Sequence, residues 1–201
     1  MTRRQARVIV VREGSMVREG QTVKDASSSV TLVESDEQRL LIDSGSPEDC
    51  KILRVALEEM EVSIDSVKHL VNTHMHMDHV GCNQMFRNAR IYAHALESPP
   101  IGTVRITDSL TLLPGVEVVH TPGHTYGSVT VLVDGDKRYA VCGDAIPTRA
   151  NYQKHVPPFI NVDPKLALKS MDMIVGLADV IIPGHGAPFE VGQSLERSKT
   201  H

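Results

Sequence analysis

His74-Met75-His76-Met77-Asp78-His79 places three imidazoles and a carboxylate within six residues, directly after the apolar run Val67–Val71. Neutral imidazole nitrogen and carboxylate oxygen are the donors that zinc and similar transition metals prefer. With ten His in 201 residues, chance gives an H-x-H-x-D-H string in only about one such chain per thousand. Packing has no use for so many donors on one turn, so the stretch reads as a metal motif at the end of a strand.

Working outward, three more donors follow apolar runs at glycine-containing turns. Val116–Val119 leads to Thr121-Pro122-Gly123-His124, Tyr139–Cys142 to Gly143-Asp144, and Val180–Ile182 to Pro183-Gly184-His185-Gly186. Taken singly, each is an ordinary turn residue, such as an Asp capping its own backbone. Beside the histidine cluster they read as ligands, because turns anchored by strands hold donors with the rigidity metal geometry needs. His74, His76, Asp78, His79, His124, Asp144 and His185 make seven donors. That is too many for one zinc site and suits two metals sharing a carboxylate.

The rest of the chain supplies the frame. Short branched runs at 8–11, 30–33 and 40–42 read as strands. Ser46-Pro47-Glu48-Asp49 starts a helix over 47–61 with Leu53, Ala56, Leu57 and Met60 on its apolar face. A strand at 67–72 enters the metal motif, and a second helix is expected over 79–86. The middle is strand-rich, at 90–92, 103–106, 110–112, 116–120, 128–133 and 138–142. Asp163-Pro164 opens another helix with Ala167, Met171 and Ile174 inward, and 179–182 is the last strand. This order lacks the regular strand–helix alternation of a doubly wound parallel sheet. It fits an α+β arrangement of two packed sheets with helices on their outer faces, in a single domain spanning 1–201.

Net charge is −4, aromatics are 3% and there is no Trp, which argues against a dedicated nucleic-acid binder. Arg3, Arg4 and Arg7 form a local cluster that reads as solvated terminal charge. Cys50, Cys82 and Cys142 are odd in number and widely spaced, so no disulfide framework is expected and a reducing compartment is favoured. The apolar run at 6–11 is too short for a signal or membrane segment. The chain is therefore expected to be soluble and cytoplasmic, with a small-molecule substrate as partner, no membrane contact, nucleic acid kept open and a homodimer allowed.

The ligand motifs, with Asp43 in Leu41-Ile42-Asp43-Ser44-Gly45, resemble the metallo-β-lactamase superfamily over roughly residues 28–190. The resemblance implies a four-layered αβ/βα sandwich with a dinuclear site in a cleft at one edge of the sheets. Carried over residue by residue, His74, His76 and His124 would hold one metal. Asp78, His79 and His185 would hold the second, and Asp144 would bridge. Asp43 would accept the spare N–H of a ligand imidazole. Two divalent transition metals, zinc first with iron or manganese as alternatives, would carry a bridging hydroxide as nucleophile. Asp78 and Asp144 are the catalytic carboxylates on that reading. No Ser or Cys nucleophile is needed, so Cys82 and Cys142 read as small buried residues.

Within the superfamily, the sixteen residues after His185 leave no room for the helical domain typical of glyoxalase II. His76 stands where flavodiiron oxygen reductases carry a glutamate, and no extra nuclease domain interrupts 124–144. The stretch 143–152, followed by Asp163-Pro164, is similar to N-acyl-homoserine lactonases, but Pro147 stands where those enzymes have a substrate-contacting tyrosine. The stretch 178–189 is similar to the metallo-β-lactamase domain-containing protein 1 group, which implies a nuclease. Persulfide dioxygenases hold one iron on residues matching His74, His124 and Asp144. A hydrolase of a small lactone, thioester or related ester is the leading expectation, with phosphodiester cleavage and persulfide oxidation as alternatives. Substrate contacts are expected from the aperiodic loop 146–162, through Tyr152, His155 and Phe159, and from Tyr126 beside His124. The segment 12–27 is a second expected flap, with Met16 and Val17 as its apolar tips. His69, His94, His120 and His201 fall outside the motifs.

Overall fold

A computed structural model describes residues 5–20 and 22–192; Arg3, Arg4 and His201 lie outside them. The elements run β1 (Arg7–Arg12), β2 (Ser15–Glu19), β3 (Thr22–Ser27), β4 (Val30–Ser35), β5 (Gln38–Ile42), α1 (Cys50–Glu59), β6 (Val67–Val71), α2 (Met77–Val80), β7 (Arg90–His94) and β8 (Val104–Ile106). They continue with β9 (Leu110–Leu113), β10 (Val116–His120), β11 (Val129–Asp134), β12 (Arg138–Gly143), α3 (Arg149–Lys154), α4 (Pro164–Leu177), β13 (Val180–Pro183) and β14 (Phe189–Glu190).

Strand periodicity sorts these into layers. Along β5, Leu40 and Ile42 face one way and Leu41 the other, and all three are buried, so both faces of the sheet are covered. Leu40, Ile42 and Val71 pack against Val118, Val131, Val141 and Ile182 of the other sheet to form the central core. On the opposite face, Leu32, Leu41 and Leu70 pack against Leu53 and Leu57 of α1. Beyond the second sheet, Leu132, Ala140 and Ile181 pack against Met171 and Ile174 of α4. The layers are helix, sheet, sheet, helix, the expected αβ/βα sandwich.

One sheet has the order β1-β4-β5-β6-β7-β8 and the other β14-β13-β12-β11-β10-β9, with β2 and β3 as a separate hairpin. β5 and β6 are parallel, with Ile42 level with Val71, and β12 and β13 are parallel, with Gly143 level with Pro183. β10 is antiparallel to β11, which is antiparallel to β12, so β10 and β12 run the same way. The carboxyl ends of β5 and β6 thus share one edge of the first sheet, and those of β10, β12 and β13 share one edge of the second.

Several expectations are corrected. The helix expected over 79–86 is only α2 followed by a single 3-10 turn at Asn83–Met85. Gly81 weakens the helix at that point, and Cys82 is drawn aside to Cys50. These two cysteines form a disulfide with Cα atoms 5.3 Å apart, against the expectation that the odd, widely spaced cysteines make no disulfide framework. Sequence separation hid the pair, because Cys50 opens α1 and Cys82 follows α2, and these segments meet only in the fold. The argument for a reducing compartment goes with it. Cys142 is free and buried, and burial pushes its thiol well above the usual range, as a packing residue requires. Met60 ends α1 and is 40% exposed rather than part of its apolar face. The loop 146–162 contains α3, whose first turn is capped by the Thr148 hydroxyl accepting from Asn151 N–H at 3.4 Å. No helix among the described residues is long and apolar enough to cross a membrane.

Candidate metal centre

Five strand ends meet at this edge, and each delivers a donor or its support. β6 continues through Asn72 and Thr73 into His74. The Nε2 of His124, past β10, lies 3.2 Å from Nε2 of His74 and 3.0 Å from Nδ1 of His76. Past β12, Asp144 Oδ1 lies 3.1 Å from Nε2 of His185 and 3.6 Å from Nε2 of His79, whereas Oδ2 lies 3.6 Å from Nε2 of His124. Asp78 Oδ2 lies 3.6 Å from Nε2 of His185 and 3.9 Å from Nε2 of His79. Three groupings have donor atoms close enough to hold a metal: His74, His76, His124; His74, His79, Asp144; and Asp78, His79, His185. All seven expected ligands are brought together. Gly184 matters to this closeness, since a Cβ there would fall 2.1 Å from Oδ1 of Asp144.

The far ring nitrogens fix which way each lone pair points. His124 Nδ1 donates to the Ile160 carbonyl at 2.7 Å, and His185 Nδ1 donates to the Ser27 carbonyl at 2.9 Å. A carbonyl only accepts, so both rings carry hydrogen on Nδ1 and turn Nε2 toward the centre. Asp43 does the same for two rings. Its Oδ2 accepts from His79 Nδ1 at 2.7 Å and from the Thr73 hydroxyl at 2.8 Å, and Oδ1 accepts from Thr73 N–H at 2.7 Å. With its hydrogen given to Asp43, the Thr73 oxygen is left to accept from His74 Nδ1 at 3.2 Å. Asp43 sits at the turn after β5 with φ 56°, a left-handed conformation that Asp tolerates better than most residues.

Ser27 has its own buried support. Its hydroxyl donates to Asp49, Arg12 Nη1 donates to that hydroxyl at 2.7 Å, and Arg12 forms an ion pair with Asp49. Ser46 adds donors from N–H at 2.9 Å and Oγ at 2.8 Å. Burial alone would raise the Asp49 carboxyl, but Ser27, Arg12 and Ser46 outweigh it and hold it low.

The donor set fits a cation. Nε2 of His79, Nε2 of His185 and Oδ1 of Asp144 are buried, and none of them makes a hydrogen bond of good geometry. Acceptors face one another there unless a proton or a metal lies between them, and so much buried polarity without partners is costly. Among the protein groups alone, burial pulls His79 down, but Asp43 and Asp144 outweigh it and hold the imidazole well above its usual range. His185 is likewise raised by Asp144 against the pull of burial. Burial holds His74 well below and His124 below the ordinary value. Asp144 is held well below the carboxylate range because His185 and His79 outweigh its burial.

The expected substrate contacts divide. Phe159 is half-exposed, with the Arg18 guanidinium 5.4 Å from its ring centroid, and the next residue, Ile160, orients His124. Tyr126 is exposed beside the His124 turn. Tyr152 packs instead on Phe189, ring centroids 5.2 Å apart, among the α4-side core, because α3 turns it inward. His155 ends α3 in a left-handed conformation and pairs with Asp172 of α4 at 2.8 Å. The expected flap at 12–27 is the β2–β3 hairpin. The sequence reading missed Thr73, Ser27, Arg12, Asp49 and the Ile160 carbonyl. Only Thr73, a hydroxyl residue beside the first ligand, carried a local signal.

The family model described as the metallo-beta-lactamase superfamily matches residues 23–103 and 98–185. The chain belongs to the metallo-β-lactamase superfamily. A Methanocaldococcus jannaschii protein named as a probable metallo-hydrolase is 37% identical over 86% of this chain and 83% of its own length. Metallo-beta-lactamase domain-containing protein 1 of Xenopus laevis is 33% identical over 92% of this chain and 81% of its own. The crystal structure of a quorum-quenching N-acyl homoserine lactone lactonase superposes with a TM-score of 0.73 at 24% identity, covering 92% and 93% of the two chains. This superfamily member is a metal-dependent hydrolase.

Proposed function

We propose that this hydrolase works with two divalent metals on a small ester-like substrate, a lactone, a thioester or a related carbonyl bond. His74, His76 and His124 would hold one ion, and Asp78, His79 and His185 the other, with Asp144 between them. The observation that carries this reading is the split of the Asp144 carboxylate: Oδ1 lies toward His185 and His79, at 3.1 and 3.6 Å, and Oδ2 toward His124, at 3.6 Å. Zinc suits the nitrogen and oxygen donors, and iron or manganese would also accept them. When bound, two such ions supply a water acidified from 15.7 toward about 7 and a Lewis acid for the substrate oxygen. The chain orients that chemistry: Asp43 and the carbonyls of Ser27 and Ile160 aim the imidazoles, and Asp78 and Asp144 bring the negative charge that offsets the cations.

Substrate choice is left to the loops. A cavity of about 330 Å³ lies between the β2–β3 hairpin and α3, with Met16 and Val156 as apolar lining and Arg18 and Lys154 as cations. Both walls are tied to the His185 turn, through the Ser27 carbonyl on one side and the Pro147 carbonyl, which accepts from His185 N–H at 2.7 Å, on the other. Two cations among apolar and uncharged polar groups, Thr148 and Asn151 included, suit a neutral or singly charged acyl compound. A polyanionic strand needs several phosphate contacts and binds with steep salt dependence. Phosphodiester cleavage is the second reading, favoured by the similarity to metallo-beta-lactamase domain-containing protein 1 over 92% of this chain.

The test is a side-by-side panel of lactones, thioesters, aryl esters and single-stranded oligonucleotides at low and physiological salt. Turnover of the esters should exceed that of the oligonucleotides and change little with salt. Salt-sensitive cleavage of RNA with no measurable ester or lactone turnover would replace the main reading with the second.

A further inference from the structure

The segment His94–Glu97 touches two of the ligand-bearing loops and belongs to neither. Glu97 Oε2 accepts from Met75 N–H at 2.8 Å, and its Oε1 accepts from Gly127 N–H at 3.0 Å. Met75 lies between His74 and His76, and Gly127 lies three residues past His124. The first loop leaves β6 in one sheet, and the second joins β10 to β11 in the other. One carboxylate therefore ties the two sheets together beside the His74, His76 and His124 grouping. The fit is close, since a Cβ on Gly127 would fall 2.7 Å from Cγ of Glu97.

His94 completes the bracket. Its Nδ1 accepts from Leu96 N–H at 3.2 Å, at the head of the short turn that carries Glu97. Its ring stacks on His120 with centroids 4.2 Å apart and planes within 4°. His120 closes β10 and donates from Nε2 to the Tyr126 carbonyl at 2.8 Å, which holds the turn leading into Gly127.

We infer that Glu97 is a positioning residue that sets the spacing between the His74/His76 pair and His124, and so tunes the three-histidine half of the centre; this rests on the two-metal reading above. Both of its partners are N–H donors, so both of its oxygens must accept. A carboxylate meets that demand and an amide does not, because Gln would turn an NH2 toward one donor. Hydrogen bonds to an ionised carboxylate are stronger than neutral ones. Metal–donor distances tolerate only about ±0.2 Å, so a small drift between the two loops is felt at the ion.

The experiment is cobalt(II) titration of metal-stripped wild type, Glu97→Gln, Glu97→Ala and His76→Ala, read by visible absorption, with circular dichroism to check the fold. Wild type should take up two equivalents, and His76→Ala identifies the one bound by the three histidines. In Glu97→Gln that same equivalent should weaken by about 10–100-fold and change its ligand-field spectrum, while the other keeps both affinity and spectrum. If Glu97→Ala does not fold, the nearly isosteric Glu97→Gln carries the test. Two unchanged equivalents in Glu97→Gln, or equal weakening of both, would overturn the inference. Failure of wild type to take up a second equivalent would instead overturn the two-metal reading.

Discussion

The imidazole of His79 is backed by charge, and those of His124 and His76 are not. His79 leans directly on Asp43, and His185 on the neutral carbonyl of Ser27, a residue whose hydroxyl is held by Arg12 and Asp49. His124 leans on the neutral carbonyl of Ile160, and His76 is exposed. A carboxylate behind an imidazole makes it a better ligand for a metal and a better base for a proton. The two halves of one centre should therefore differ in affinity and in their response to acid.

The largest effect should come from removing what the halves share. Asp144→Ala should take hydrolysis to background and deplete both metals, because among the described residues no other carboxylate has one oxygen toward His185 and the other toward His124. Near-normal metal content and turnover in that variant would mean the ligand assignment is wrong. Asp43→Asn should weaken the Asp78/His79/His185 half by roughly 10–100-fold without removing it. An amide keeps one acceptor but presents NH2 where His79 or Thr73 now donates. A chelator competition that finds the two halves equally affected would remove the distinction between them.

A smaller effect concerns pH. In metal-stripped protein His79 is held well above the usual imidazole value, so it carries a second proton at neutral pH that the metal must displace. His74 and His124 are held low and are already neutral there. Affinity of the second half should rise with pH until His79 deprotonates, a rise to which His74 and His124, held low, add nothing in the three-histidine half. Isothermal titration in buffers of different ionisation enthalpy reads this directly. Equal proton release from both halves would contradict it.

The ligands were legible because each stands where a hydrophobic run ends, and parallel strands bring such ends to one edge of a sheet. Period-2 alternation likewise showed β11, and the spacing of Ala167, Met171 and Ile174 showed the buried face of α4. What stayed hidden depends on contacts between distant segments. Glu97 meets two backbone N–H groups 22 and 30 residues away, and a backbone donor leaves no mark in a sequence. The Ile160 carbonyl is invisible for the same reason. The Cys50–Cys82 disulfide spans 32 residues and forms only because α1 and the turn after α2 meet in the fold. Tyr152 was misplaced because the 146–162 loop looked aperiodic, and a six-residue helix is too short for a periodic signal.

The central claim is that two metals share Asp144, and elemental analysis of metal-replete protein tests it most directly. The account predicts close to two transition-metal ions per chain, falling to about one in His79→Ala, with the remaining ion on His74, His76 and His124. A single iron per chain, unchanged in His79→Ala and accompanied by oxygen uptake on glutathione persulfide, would contradict it and point to one metal on His74, His124 and Asp144.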